Sequence, residues 1–171
     1  PNVLETNMPN RTIYIKDEDI AIFNKAQEMG SESISSIITE SLRRYIVQEE
    51  NRIKKLQEKA QIIGVVEQIL QEAFEGNATD IYIQPTTISN KVRIRINGEL
   101  KEISSIPQYL YTKTIEYIKE QASLEKHGNS IPQTGRLAKK YNNKNLELKV
   151  KILPTVLGET TVIQIKYSNS S

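Results

Sequence analysis

The stretch "RTIYIKDEDIAIF", Arg11 to Phe23, begins as a strand and becomes a helix within a few residues. Ile13 and Ile15 alternate with Thr12 and Tyr14, the period-2 pattern of a half-buried strand. Asp17, Glu18 and Asp19 then supply negative charge where a helix N-terminus favours it. No second strand lies nearby in sequence. A segment this short can hardly enclose a core alone, and association with a second chain is the usual remedy.

A helix is expected from about Asp17 to Met29, with Ile20, Phe23 and Ala26 at helical spacing and Gly30 as its C-cap. Ser33 is read as the N-cap of a second helix carrying Ile34, Ile37, Ile38, Leu42, Tyr45 and Ile46 on one side. That helix continues into the charged stretch Glu49 to Gln61, where Ile53, Leu56, Ala60 and Ile63 keep a 3-4 spacing. A short coiled coil and a solvated single helix both fit this pattern. Gly64 is taken as the start of a new helix that ends at Gly76. Strands and turns dominate thereafter. "DIYIQP" and "KVRIRINGELKEI" read as strands, with Asn97-Gly98 as a hairpin turn. A helix from Pro107 to about Ala122 precedes three further strands near Gly135–Tyr141, Asn145–Leu153 and Thr160–Tyr167. The resulting division is a flexible start over 1–9, a first domain over 10–48, a helical linker over 49–61, a second domain over 62–167 and a flexible tail over 168–171.

Composition excludes several classes of function. With no cysteine there is neither a disulfide framework nor a thiolate metal site. The lack of cysteine fits a reducing cytoplasm, where the chain is expected, and no apolar run reaches the roughly 18 residues of a membrane span, so membrane insertion is not expected. A net charge of +2 is too close to neutral to mark a nucleic-acid binder by itself. His127, the sole histidine, reads as a loop residue, and no metal or cofactor is expected. Without a nucleophile elbow or an isolated carboxylate pair, no catalytic residue is assigned.

Strand, helix, glycine-containing turn and helix over about residues 9–48 resemble the ribbon-helix-helix family, the MetJ/Arc-like repressors. The resemblance implies an intertwined dimer in which the strand pairs with its own copy. It also implies that Asn10, Thr12 and Tyr14 face the major groove of double-stranded DNA. Lys16, Ser33 and the amides of Ile34, Ser35 and Ser36 would then meet phosphates. Many relatives carry Arg or Lys on the ribbon; here the groove-facing set is neutral.

A second resemblance rests on "VVEQILQEAFEGNATDIYIQP", "VRIRINGELKEI", "IPQTGRL", "LELKVKILPTVLGE" and "TVIQI", in that order. Over about residues 62–167 these are similar to the domain that precedes the motor in type II secretion and type IV pilus assembly ATPases. A small α+β domain with an antiparallel sheet, PAS-like in outline, is implied. In that family some arginines of this domain face nucleotide held by the motor, which draws attention to Arg93, Arg95 and Arg136. This sequence has Thr134 for the family aspartate of "PQDGR" and Lys149 for a later arginine. It contains no G-x-x-x-x-G-K-[ST] and stops where the motor is expected, so the three arginines are read as structural or partner-facing and the chain as no enzyme.

The combined expectation is an α+β, homodimeric or larger, DNA-binding repressor or plasmid maintenance or transfer factor that recognises palindromic or repeated half-sites. Its second domain would serve dimerisation or docking. One alternative is a non-DNA-binding adaptor of a secretion, pilus or conjugation apparatus, with a protein partner there. The other is a small-molecule sensor using the PAS-like domain.

Overall fold

A computed structural model describes residues 16–29, 34–126 and 131–167. The strand expected at Arg11–Ile15 lies outside the described residues, as do Asn10, Gly30, Ser33 and His127. Compact units cover Pro1–Ile53 and Lys54–Ser171. In the first, a 3-10 turn at Asp17–Asp19 leads into helix α1, Ile20–Met29. All three residues of the turn are acidic, matching the positive end of the helix.

Helix α2 runs unbroken over Ile34–Glu75. Gly64 lies inside it, and the expected new start there is corrected. A glycine costs a helix interior about 1 kcal/mol relative to alanine. Ile62, Val66, Ile69, Leu70, Ala73 and Phe74 are all buried on one stripe around it. Each large apolar side chain so buried contributes about 1.5–3 kcal/mol, which outweighs the glycine. The helix ends with Asn77 at φ 50° and the Ala78 N–H donating to the Ala73 carbonyl at 2.8 Å. Gly76 serves a different purpose: a Cβ there would press on the Ile96 side chain.

The six strands are β1 Asp80–Pro85, β2 Asn90–Ile96, β3 Glu99–Ile106, β4 Gln133–Tyr141, β5 Lys144–Thr155 and β6 Gly158–Tyr167, with helix α3, Gln108–Gln121, between β3 and β4. They form one sheet in the order β3-β2-β1-β6-β5-β4, every neighbour antiparallel. Asn97 and Gly98, both at positive φ, make the expected β2–β3 hairpin turn. Asn142 and Asn143, at φ 46° and 62°, do the same between β4 and β5. Ile81, Ile83, Val92, Ile94, Leu148, Val150 and Ile152 point to one face and join the buried residues of α2 and α3 in a single core. A six-stranded antiparallel sheet with a long helix is the α+β class that the alternation pattern implies.

Two glycines give opposite predictions. A methyl group added at Gly64 would meet nothing within 4 Å, whereas at Gly135 a Cβ would collide with the Ala122 carbonyl and the Leu124 side chain. Gly64→Ala is expected to stabilise the chain by about 1 kcal/mol. Gly135→Ala should destabilise it by about 1–3 kcal/mol. Thermal and urea unfolding followed by circular dichroism checks both.

Candidate partner-docking face

The face of the sheet opposite the core is built by the alternate residues of each strand. Cross-strand register places Leu100, Arg95, Asp80, Gln164, Lys149 and Arg136 in one row across all six strands. The adjacent row holds Glu102, Arg93, Tyr82, Val162, Lys151 and Thr134. Arg93, Arg95 and Arg136 therefore share a face. They do not share a cluster, because β2 and β4 stand four strand spacings apart, roughly 19 Å.

Arg95 is the most anchored of the three. Its guanidinium donates to the Gly98 carbonyl at 3.0 Å and the Tyr82 hydroxyl at 3.2 Å, and lies 3.7 Å from the Asp80 carboxylate. It also sits 5.5 Å from the Tyr82 ring centroid. The hydrogen bond to Tyr82 is the main influence raising its pKa above the ordinary arginine value. Arg93 donates to the Gln84 side chain, while its Nε is buried with no hydrogen-bond partner among the described residues. Arg136, on the edge strand, is exposed and loosely paired with Glu147 at 3.6 Å.

Lys149, Lys151 and Lys166 extend the positive field along β5 and β6, and no ion pair to them occurs among the described residues. Lys91 pairs with Glu102 at 2.8 Å. Cations thus outnumber the carboxylates Asp80, Glu102 and Glu147 on this face. Sequence reasoning singled out the arginines and missed Lys151, Lys166 and Tyr82. The signal was available in "LKVKI", whose lysines alternate with buried apolar residues and so must emerge opposite the core.

Glu159 has a structural task instead. Its carboxylate accepts from Lys119 Nζ at 2.5 Å, and its backbone carbonyl accepts from the Tyr111 hydroxyl at 2.5 Å. Lys119 is fully buried, so this pair ties α3 to β6 inside the fold. Burial, followed by the negative charge of Glu159, pushes the Tyr111 phenol well above its ordinary pKa and keeps it a neutral donor.

The sequence matches the family described as Type II/IV secretion system protein over residues 55–171. The chain belongs to that family. It is 35% identical over 113 residues to a type II secretion system protein E of Xanthomonas campestris pv. campestris, covering 66% of this chain and 20% of the relative. A type IV pilus assembly ATPase PilB of Thermus thermophilus is 33% identical over 100 residues, covering 58% and 11%. A putative type II secretion system protein E of Escherichia coli K12 is 32% identical over 111 residues, covering 65% and 22%. The chain spans about a fifth or less of the length of these curated relatives.

Membership in this family overturns the expected DNA-binding repressor, together with its plasmid setting and double-stranded DNA partner. Asn10, Thr12, Tyr14 and Ser33 lie outside the described residues. Lys16 is exposed and 3.6 Å from Glu18; Ile34 and Ser35 open α2, and Ser36 is exposed on it. A neutral ribbon set and a net charge of +2 supply little of the phosphate neutralisation on which DNA affinity depends. No helix among the described residues is long and apolar enough to cross a membrane.

Removing one partner of the buried pair gives a direct prediction. Glu159→Ala should destabilise the protein by about 3–5 kcal/mol, because it leaves Lys119 buried without this carboxylate. Lys119→Met combined with Glu159→Gln should recover much of that loss in urea unfolding.

Proposed function

We propose that this chain is a non-catalytic adaptor of a secretion or pilus-assembly machine, acting in the cytoplasm and docking on a protein partner through the outer face of its sheet. The observation that carries the reading is the row of Arg95, Lys149 and Arg136, backed by Lys151 and Lys166, on a sheet whose other face is committed to the core. A cationic sheet face of this kind fits an acidic protein surface, with Arg95 held ready by Tyr82 and Asp80. The secretion and pilus proteins among the relatives support that setting.

The test is cross-linking in cells that carry such a machine, followed by mass spectrometry of what the tagged full chain retains. Wild type should recover secretion or pilus-assembly components. Lys149→Glu combined with Lys151→Glu should reduce that recovery at least about tenfold, equivalent to roughly 1.4 kcal/mol or more, without lowering the thermal midpoint. Recovery unaffected by charge reversal, or no such component with wild type, defeats the proposal.

A further inference from the structure

The apolar residues of α2 ahead of the sheet follow a period shorter than that of a straight helix. Leu42, Ile46, Ile53, Leu56, Ala60 and Ile63 fall on alternating steps of four and three once Glu49 is given its place among them. Leu42, Ile46, Ile53 and Leu56 are 56%, 53%, 51% and 59% exposed, leaving large apolar surface open among the described residues. Residues that α2 turns toward the sheet unit belong to other positions of the same heptad: Glu58 pairs with Lys113, Gln61 donates to the Tyr109 hydroxyl at 3.1 Å, and Ile62 is buried. With Ile46 and Ile53 at a and Leu42 and Leu56 at d, Glu58, Gln61 and Ile62 occupy f, b and c. Within the second unit the seam residues Leu56 and Ala60 are exposed while Ile62 is buried.

We infer that α2 forms a parallel two-stranded coiled coil with α2 of a second copy over residues 42–63. The composition of the seam specifies the occupant. Isoleucine at two of the three a positions, Ile46 and Ile53, with leucine at two of the four d positions, Leu42 and Leu56, is the combination that favours two parallel strands, and Ala60 and Ile63 complete the apolar seam. The antiparallel alternative, centred between Ile53 and Leu56, sets Arg52 against Lys59 across the seam. In the parallel pair Tyr45 meets Glu50 and Arg52 meets Gln57, with no like charges opposed at these flanks. Glu49 is the one polar seam residue, lying 3.5 Å from Arg52 of its own helix. A polar group at one such layer lowers stability while fixing register. The association does not depend on docking by the sheet face.

The chain has no cysteine, so introduced thiols report position without interference. Under mild oxidation, full-length Ile46→Cys and Ile63→Cys should each give a disulfide-linked dimer with its own copy, whereas Asn51→Cys at f should not. In sedimentation experiments wild type should dimerise, Glu49→Leu should tighten the dimer, and Ile53→Asp combined with Leu56→Asp should weaken it at least about a hundredfold. The helix signal of the double variant in circular dichroism shows that it remains folded. A monomeric wild type, a dimer indifferent to the two aspartates, or cross-links only between Ile46→Cys and Ile63→Cys chains would overturn the inference. Repeating the cellular capture with the double aspartate variant separates this failure from that of the docking reading, which requires only the sheet face.

Discussion

Central strand β1 holds the sheet unit together. It is hydrogen-bonded to β2 on one edge and β6 on the other, joining a sequence-local three-strand meander to the three strands that follow α3. Its register fixes which residues of six strands face the core, because a one-residue slip would turn every side chain over. Ile81 and Ile83 are buried on one side of it while Asp80, Tyr82 and Gln84 emerge on the other. The core under α2 and α3 and the cationic outer face are two consequences of one register.

Charge is distributed according to the same logic. Lys119 is held inside by Glu159, where it joins α3 to β6. Lys149, Lys151 and Lys166 stand outside, where water solvates them until another surface approaches. Lys149, Lys151 and Lys166 have no ion pair among the described residues, and in the proposed docking their field would orient an acidic partner. Asp80 and Tyr82 hold Arg95 in a defined direction, which lowers the ordering a partner would have to impose.

Much of the second unit was legible in the sequence, since period-2 alternation and the Asn97-Gly98 turn are local signals. Gly64 misled because a glycine reads as a break, whereas six buried side chains around it hold the helix through. Gly135 was visible only as part of "PQTGR"; its purpose is the close approach of the Ala122 carbonyl, a contact between distant segments. Arg93, Arg95 and Arg136 were recognised as a set, but their spacing on the sheet and the lysines between them follow from strand order. The first half misdirected the functional reading. A strand and two helices suggested DNA, while the family to which residues 55–171 belong is one of secretion proteins.

Local sequence was enough for the α+β class, the alternation of each strand, the tight turns and the heptad spacing along α2, because each depends on residues a few positions apart. The placement of β6 between β1 and β5, which aligns Arg95, Lys149 and Arg136 in one row, came from the folded arrangement alone. So did the choice of which residues of α2 after Lys54 are buried in the core, Ile62, Val66, Ile69, Leu70, Ala73 and Phe74 among them. Long-range pairing is chosen by the burial of whole faces, a property that no short stretch of sequence carries.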